Sequence, residues 1–281
     1  MNVKIISAIL VLALASMACG FSVDLPERSK PGADVTESIT VAVPKSEETR
    51  LTLSFGAGTL KLSPGAGDML VDGTAVYNLE ELKPEIVKSA GNVEIKHGNF
   101  KNLVNPNDIH NEWDLRLGTS PIDLTINAGA YNGTFEFGGL SLTNLTVRDG
   151  AANVDLTFSK PNQTEMSVLR YETGASDVSL AGLANANFST LIFSGGAGNY
   201  TLGFDGKLTR DGIVNVEAGA GDVQLIIPKD VNAEVTVDST VVSINHSSGW
   251  TQNGNDYIQK GSGPMLTLIV KMAAGNLTIT D

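Results

Sequence analysis

Cysteine occurs once in these 281 residues, at Cys19, so no internal disulfide can brace the chain. Histidine is nearly as scarce: His97, His110 and His246 are the three copies, and no two sit at metal-ligand spacing. Charged residues make up only 18%, acids outnumber bases, and the formal net charge is −12 with no clustered Lys/Arg stretch. That balance argues against nucleic acid as a partner and against simple electrostatic docking onto anionic lipid. No amphipathic helical stretch of any length follows the first residues, and no Gly-x-Ser-x-Gly elbow with triad partners is present.

Glycine, by contrast, is plentiful at 30 copies, and much of it recurs in one unit. Gly219-Ala220-Gly221-Asp222-Val223-Gln224-Leu225 is preceded by Gly196-Ala197-Gly198-Asn199-Tyr200-Thr201-Leu202. Earlier still come Gly174-Ala175-Ser176-Asp177-Val178-Ser179-Leu180 and Gly150-Ala151-Ala152-Asn153-Val154-Asp155-Leu156. The Asx positions 153, 177, 199 and 222 lie 24, 22 and 23 residues apart, and a fixed period of that size means a stacked array. After each Asx, alternation such as Val223 and Leu225 in, Gln224 out, predicts a strand with one buried face. Ile213 to Glu217 and Leu191 to Phe193 predict another short strand ahead of it. Between them glycine permits a corner, alanine is small enough to face inward where coils stack, and Asx bonds the backbone two residues on.

The pattern predicts an all-β chain: a parallel-stacked β-solenoid of roughly 22–24-residue coils with an irregular N-terminal capping region. Gly195 to Leu202 superficially matches the glycine-rich nonapeptide of calcium-binding β-rolls, but its acidic position comes one residue early and holds Asn199, and the period is over twice nine. Regularly spaced strands also suit an antiparallel sandwich. Identical corner chemistry in successive units favours the solenoid.

Residues 1–18 carry Lys4, then apolar Ile5 to Leu14, then small residues before Cys19, the pattern of a secretory signal too short to span a membrane. Cys19 directly after Ser16-Met17-Ala18 resembles a bacterial lipoprotein signal, which makes it the expected lipidation site and membrane anchor. Residues 19–48, with Pro26, Pro31 and Pro44, read as a tether, although Ile39, Val41 and Val43 alternate like an edge strand. Residues 49–112 are expected to form an N-terminal β region with two closely spaced corners, one ending at Asp68, and a further copy at Ser89-Ala90-Gly91-Asn92. Residues 113–281 are expected to carry the solenoid repeats, with Ala273-Ala274-Gly275-Asn276 restoring the motif for a final coil and a C-terminal cap. The proposed corner residues are thus Asp68, Asn92, Asn153, Asp177, Asn199, Asp222 and Asn276.

The Leu51-x-Leu53-x-Phe55-Gly56-Ala57-Gly58-x-Leu60 opening, Gly65-Ala66-Gly67 through Gly73, and Asn111-Glu112-Trp113-Asp114-Leu115-Arg116-Leu117 are similar to the toast-rack family of bacterial envelope proteins. The resemblance covers about residues 49–250. It implies a parallel-stacked β fold, frequent lipid anchoring, and a distant similarity to the β-rich extracytoplasmic domain of proteins linked to responses to cell-wall-active antibiotics. It carries over no catalytic residues.

Two constellations could carry chemistry. Asp108 to Asp114, with His110 and Glu112, offers carboxylate and imidazole ligands, but its Asn-rich surroundings suit a solvated junction, and no metal or other cofactor is expected. A row of outward side chains, Asp155, Ser179, Thr201 and Gln224, is polar without pairing two carboxylates. The expected function is therefore a non-catalytic, lipid-anchored, extracytoplasmic surface for envelope binding, scaffolding or sensing. Its partners would be the membrane through Cys19 and a cell-wall polymer or envelope protein. The competing reading is a polysaccharide lyase or hydrolase on a parallel β-helix, and a third is homotypic assembly through solenoid edges.

Overall fold

The computed structural model describes residues 31–98, 108–239 and 241–281. The proposed signal and the lipidation site at Cys19 lie outside the described residues. The described residues are all-β apart from short 3-10 turns such as Glu80–Leu82 and Leu183–Ala186. Its long strands are β2 (Arg50–Pro64), β7 (Ile122–Glu136), β10 (Met166–Ala181), β11 (Phe188–Gly203), β12 (Gly212–Ile226) and β17 (Met265–Thr280). Each holds two alternating stretches joined by a bend. In β11 the buried residues are Leu191 and Phe193 before the bend, Tyr200 and Leu202 after it, with Gly196 and Ala197 exposed between them. Phe193 and Tyr200 meet with ring centroids 4.9 Å apart, so the two halves fold toward one another and share a core through side chains. Burial of these alternating apolar rows is the main stabilising term, at about 1.5–3 kcal/mol per large side chain.

The long strands stack in parallel. β2 pairs with β7, β10 with β11, β11 with β12, and β12 with β17. Between β7 and β10 one layer is split into β8 (Leu142–Asp149) and β9 (Ala151–Thr157), each pairing in parallel on both sides. The alanines of the repeat, Ala175, Ala197, Ala220 and Ala274, are exposed rather than turned inward. The expectation fails because the bend is convex: its side chains splay into solvent, and the close approach is made by glycine backbone instead. A Cβ at Gly221, whose φ is +128°, would collide with the carbonyl oxygen of Gly198 one layer away. Gly275 stands in the same relation to Gly221, and Gly198 to Ser176, so β11, β12 and β17 each need a bare Cα to sit down on the layer before.

The order of layers departs from the order of the chain at both ends. At the first end, β5 (Asn92–His97) and β6 (Asn111–Leu117) lie outside β2 in parallel, although they follow it in sequence, and β7 then returns to the inner side. β4 (Pro84–Ser89) covers β5 antiparallel, while β3 (Met69–Tyr77) covers β6 and is itself covered by β1 (Val35–Ala42). With Ile39 and Val41 buried, the tether as drawn to residue 48 is too long: the folded region already includes Val35–Ala42. The boundary drawn between 112 and 113 falls inside β6. At the other end, β13 (Asn232–Val237) and β14 (Val242–His246) pair in parallel with the outer side of β17. β15 (Thr251–Asn253) and β16 (Asp256–Gln259) form a hairpin laid antiparallel on β13. The last strand in sequence, β17, is therefore an inner layer and not the final coil.

Candidate binding groove

The register of these layers decides which side chains meet. Asn153, Asp177, Asn199, Asp222 and Asn276 do stand in one row, with Thr59 and Asn132 continuing it on one side and Ser243 on the other. Asn199 Nδ2 donates to Asp177 Oδ1 at 2.7 Å, and Asn276 Nδ2 donates to Asp222 Oδ1 at 2.7 Å. From Asn153 to Asn276 amide and carboxylate thus alternate along the row, which replaces like-charge repulsion with a hydrogen bond. Asp68 and Asn92 are not in it. Asp68 lies in the turn between β2 and β3, and Asn92 begins β5 opposite Arg50. The short-range motif is the same there, but no long strand passes through it. Asn132 escaped the pattern because Tyr131 stands where the repeat has a small residue.

A second row, on the strand halves before the bend, gathers the chemistry. Ser54, Asn127, Arg148, Glu172, Ser194, Glu217 and Lys271 are consecutive neighbours across seven layers. From Arg148 to Lys271 the row borders an open groove of about 790 Å³ that runs across the layers, with Ala218 and Met272 on its floor, while Ser54 and Asn127 border its neighbour. A smaller groove of about 480 Å³ adjoins it, sharing Arg148 and Asp149 and reaching Phe55 and His97. Burial works to raise the Glu172 carboxyl, but hydrogen bonds from Arg148 Nε at 2.8 Å and Arg170 Nη1 at 3.1 Å outweigh it and hold the group below its ordinary range. Glu217, Lys271 and Asp238, at the other end, make no ion pair among the described residues. None of these residues was singled out from sequence, because their adjacency is set by register across layers and not by nearness along the chain.

Asp149 anchors the junction of the two grooves. Its carboxylate accepts the hydroxyls of Tyr171 at 2.7 Å and Tyr131 at 3.3 Å, and that of Thr173. Ser176 Oγ in turn donates to the Thr173 hydroxyl oxygen at 2.6 Å and accepts from the Ala152 backbone N–H at 2.9 Å. Tyr131, Tyr171 and Tyr200 are buried, and burial first, then nearby negative charge, pushes all three phenols above their ordinary range. Of the sequence cluster at 108–114, Asn111 and Trp113 point inward while Glu112 pairs with Lys61 at 2.6 Å and His110 with Asp34 at 2.9 Å. Glu112 and Asp114 share the outward face of β6, but Glu112 is taken by Lys61 and His110 by Asp34, and among the described residues no group of three or more metal-ligating side chains converges.

No curated protein matches the sequence. Among solved structures, a "putative cell adhesion protein" from Clostridium sporogenes ATCC 15579 is similar at 21% identity and TM-score 0.49, covering 88% of this chain and 99% of the other. A "putative adhesin" from Bacteroides fragilis NCTC 9343 is similar at 13% identity and TM-score 0.42, covering 90% and 99%. A "putative lipid binding protein" from Parabacteroides distasonis ATCC 8503 is similar at 10% identity and TM-score 0.33, covering 90% and 99%. Residues 30–170, just over half of the 281, match the family model described as the N-terminal domain of toast_rack, DUF2154, and the chain belongs to the toast-rack family.

Proposed function

We propose that this protein is a non-catalytic, extracytoplasmic envelope protein, anchored by lipid on Cys19, whose groove receives a cell-wall polymer or an envelope protein. The observation that carries the reading is the in-register row from Ser54 to Lys271, which lines two adjoining grooves with charged and polar groups about 4.8 Å apart. A repeating surface of that pitch suits an extended, repeating partner. On this reading the layers from Asn153 to Asp222 are solenoid coils of 22–24 residues, and the longer excursions before Asn132 and Asn276 are caps built from the same chain.

One observation favours the catalytic alternative. Glu172 and Glu217 flank Ser194 two layers apart, about 10 Å by strand spacing, near the upper end of the separation of an inverting glycosidase pair. Against it, Glu172 is held ionised by two arginines, so this pair lacks a second carboxyl without an ion-pair partner.

The test is incubation of the Cys19→Ser protein with purified cell envelope from its own source, scoring cosedimentation and released sugar together. Saturable retention, lowered at least tenfold by Lys271→Glu and without released product, supports the binding reading. Sugar release abolished by Glu217→Gln overturns it in favour of the enzyme. Lipid anchoring is read separately: wild-type protein incorporates labelled fatty acid and Cys19→Ser does not.

A further inference from the structure

The two ends of the stack are finished differently. At the first end both outer half-layers are covered, β5 by β4 and β6 by β3 and then β1. The exposed strands there carry devices that discourage pairing: Pro84, Glu85 and Lys88 on β4, and Glu37 with an irregular register at Ala42 on β1. At the far end β13 is covered by the β16 hairpin, but among the described residues β14 pairs on one side only, with β17.

The bare strand, Val242-Ser243-Ile244-Asn245-His246, has no proline, no Asp, Glu, Lys or Arg and no irregularity in its register. Its inward side chains, Val242 and Ile244, pack against the core yet remain partly exposed, whereas Leu277 and Ile279 of the adjoining strand are fully buried. A further layer is what would cover them. Ser247 N–H donates to Ile279 O, so by strand alternation the N–H and C=O groups of Val242, Ile244 and His246 point away from β17.

We infer that β14 is a self-association edge, and that its occupant is β14 of a second copy, paired antiparallel about a two-fold axis at Ile244. That register sets Ile244 against its counterpart and Val242 against the counterpart of His246, so every outward backbone group finds a partner. It also places the half-covered apolar side chains on one face and Ser243 beside the counterpart of Asn245 on the other. Charge selects this contact: on a chain of net charge −12 two copies repel, and a strand without Asp or Glu is where they can meet. Head-to-tail stacking is closed off by the capped first end, which leaves the isologous pair. A five-residue strand buries little area, so the contact is weak and transient. Because the described chain enters through β1 at the opposite end, the pair is elongated, with its two entry points on the order of 100 Å apart.

The experiment uses the full chain carrying Cys19→Ser. Sedimentation velocity and small-angle scattering from about 5 to about 500 µM are expected to show a monomer passing to an end-to-end dimer, strengthened by salt as the mutual repulsion is screened. His246→Pro removes an N–H that the monomer does not use, and is expected to abolish the dimer while leaving the thermal midpoint within about 4 °C. Register is read by mixing two single-cysteine proteins. Ser243→Cys with Asn245→Cys is expected to cross-link under mild oxidation at least tenfold more than either alone. A monomer throughout, a side-by-side dimer, or cross-linking that does not depend on mixing overturns the proposal.

Discussion

The Tyr171 hydroxyl on β10 donates to Asp149 Oδ2 at the end of β8, 2.7 Å away across the layer boundary. The same carboxylate takes the hydroxyls of Tyr131 and Thr173, so three layers of the stack are tied at one point where the two grooves join. Removing the acceptor leaves several buried hydroxyls unpaired, which costs more than removing one donor. Asp149→Ala is expected to destabilise by about 3 kcal/mol and Tyr171→Phe by about 1 kcal/mol in urea titrations at pH 7. Equal losses would show that the network is not shared.

Alkaline titration reads the same site. Burial, then the Asp149 charge, raises Tyr131 above its unfolded value, and burial foremost does the same for Tyr171. A folded pKa above the unfolded one gives stability that is fully present below about pH 10 and lost as pH rises past it, since the unfolded chain releases the proton first. Stability is expected to fall by roughly 1.4 kcal/mol per pH unit for each such tyrosine above about pH 10. The slope is expected to be shallower in Tyr171→Phe.

Glycine at the bend is predicted to be required by the neighbouring layer. Gly221→Ala would force a Cβ into the Gly198 carbonyl at positive φ, and is expected to cost about 3–5 kcal/mol. Gly65, at φ +133° with only the Arg116 side chain at 3.5 Å from an added Cβ, serves as the control. Gly65→Ala is expected to cost about 1–3 kcal/mol, so the difference measures layer contact rather than backbone strain.

The Asx row makes a salt-dependent prediction. Asn199→Asp removes the amide that donates to Asp177 and sets three carboxylates on adjacent layers, Asp177, the new side chain and Asp222. These groups are exposed, so the expected loss is only about 1 kcal/mol at low ionic strength, and it is expected to shrink in about 0.5 M salt. A salt-independent loss would assign the effect to the lost hydrogen bond alone.

Glu172 supplies a local check on the groove. With burial opposing and both arginines prevailing, its carboxyl contributes stability above the ordinary carboxylate range that is lost as pH falls through its lowered value. Arg148→Ala is expected to move the Glu172 titration upward in side-chain carboxyl NMR, leaving Arg170 as its one remaining ion-pair partner.

Local pattern was enough to determine the element type and much of the core. Val223 and Leu225 inward with Gln224 toward solvent follow from period-two alternation, and the equal spacing of Asn153, Asp177, Asn199 and Asp222 placed them in one row, because each layer of that stretch spends nearly the same length of chain. Asp68 and Asn92 carried the same local signal without the same place, since a turn motif reports backbone chemistry and not which strand passes beside it. The layer order was beyond sequence reach for the same reason: β17 sits inside β14, and β7 inside β6, through excursions whose return is decided by which apolar face remains open. The groove is the furthest product of that register. Arg148 and Glu172 are an ion pair, and Glu217 stands one layer from Lys271, because hydrogen-bonded strands hold corresponding residues about 4.8 Å apart whatever the length of chain between them.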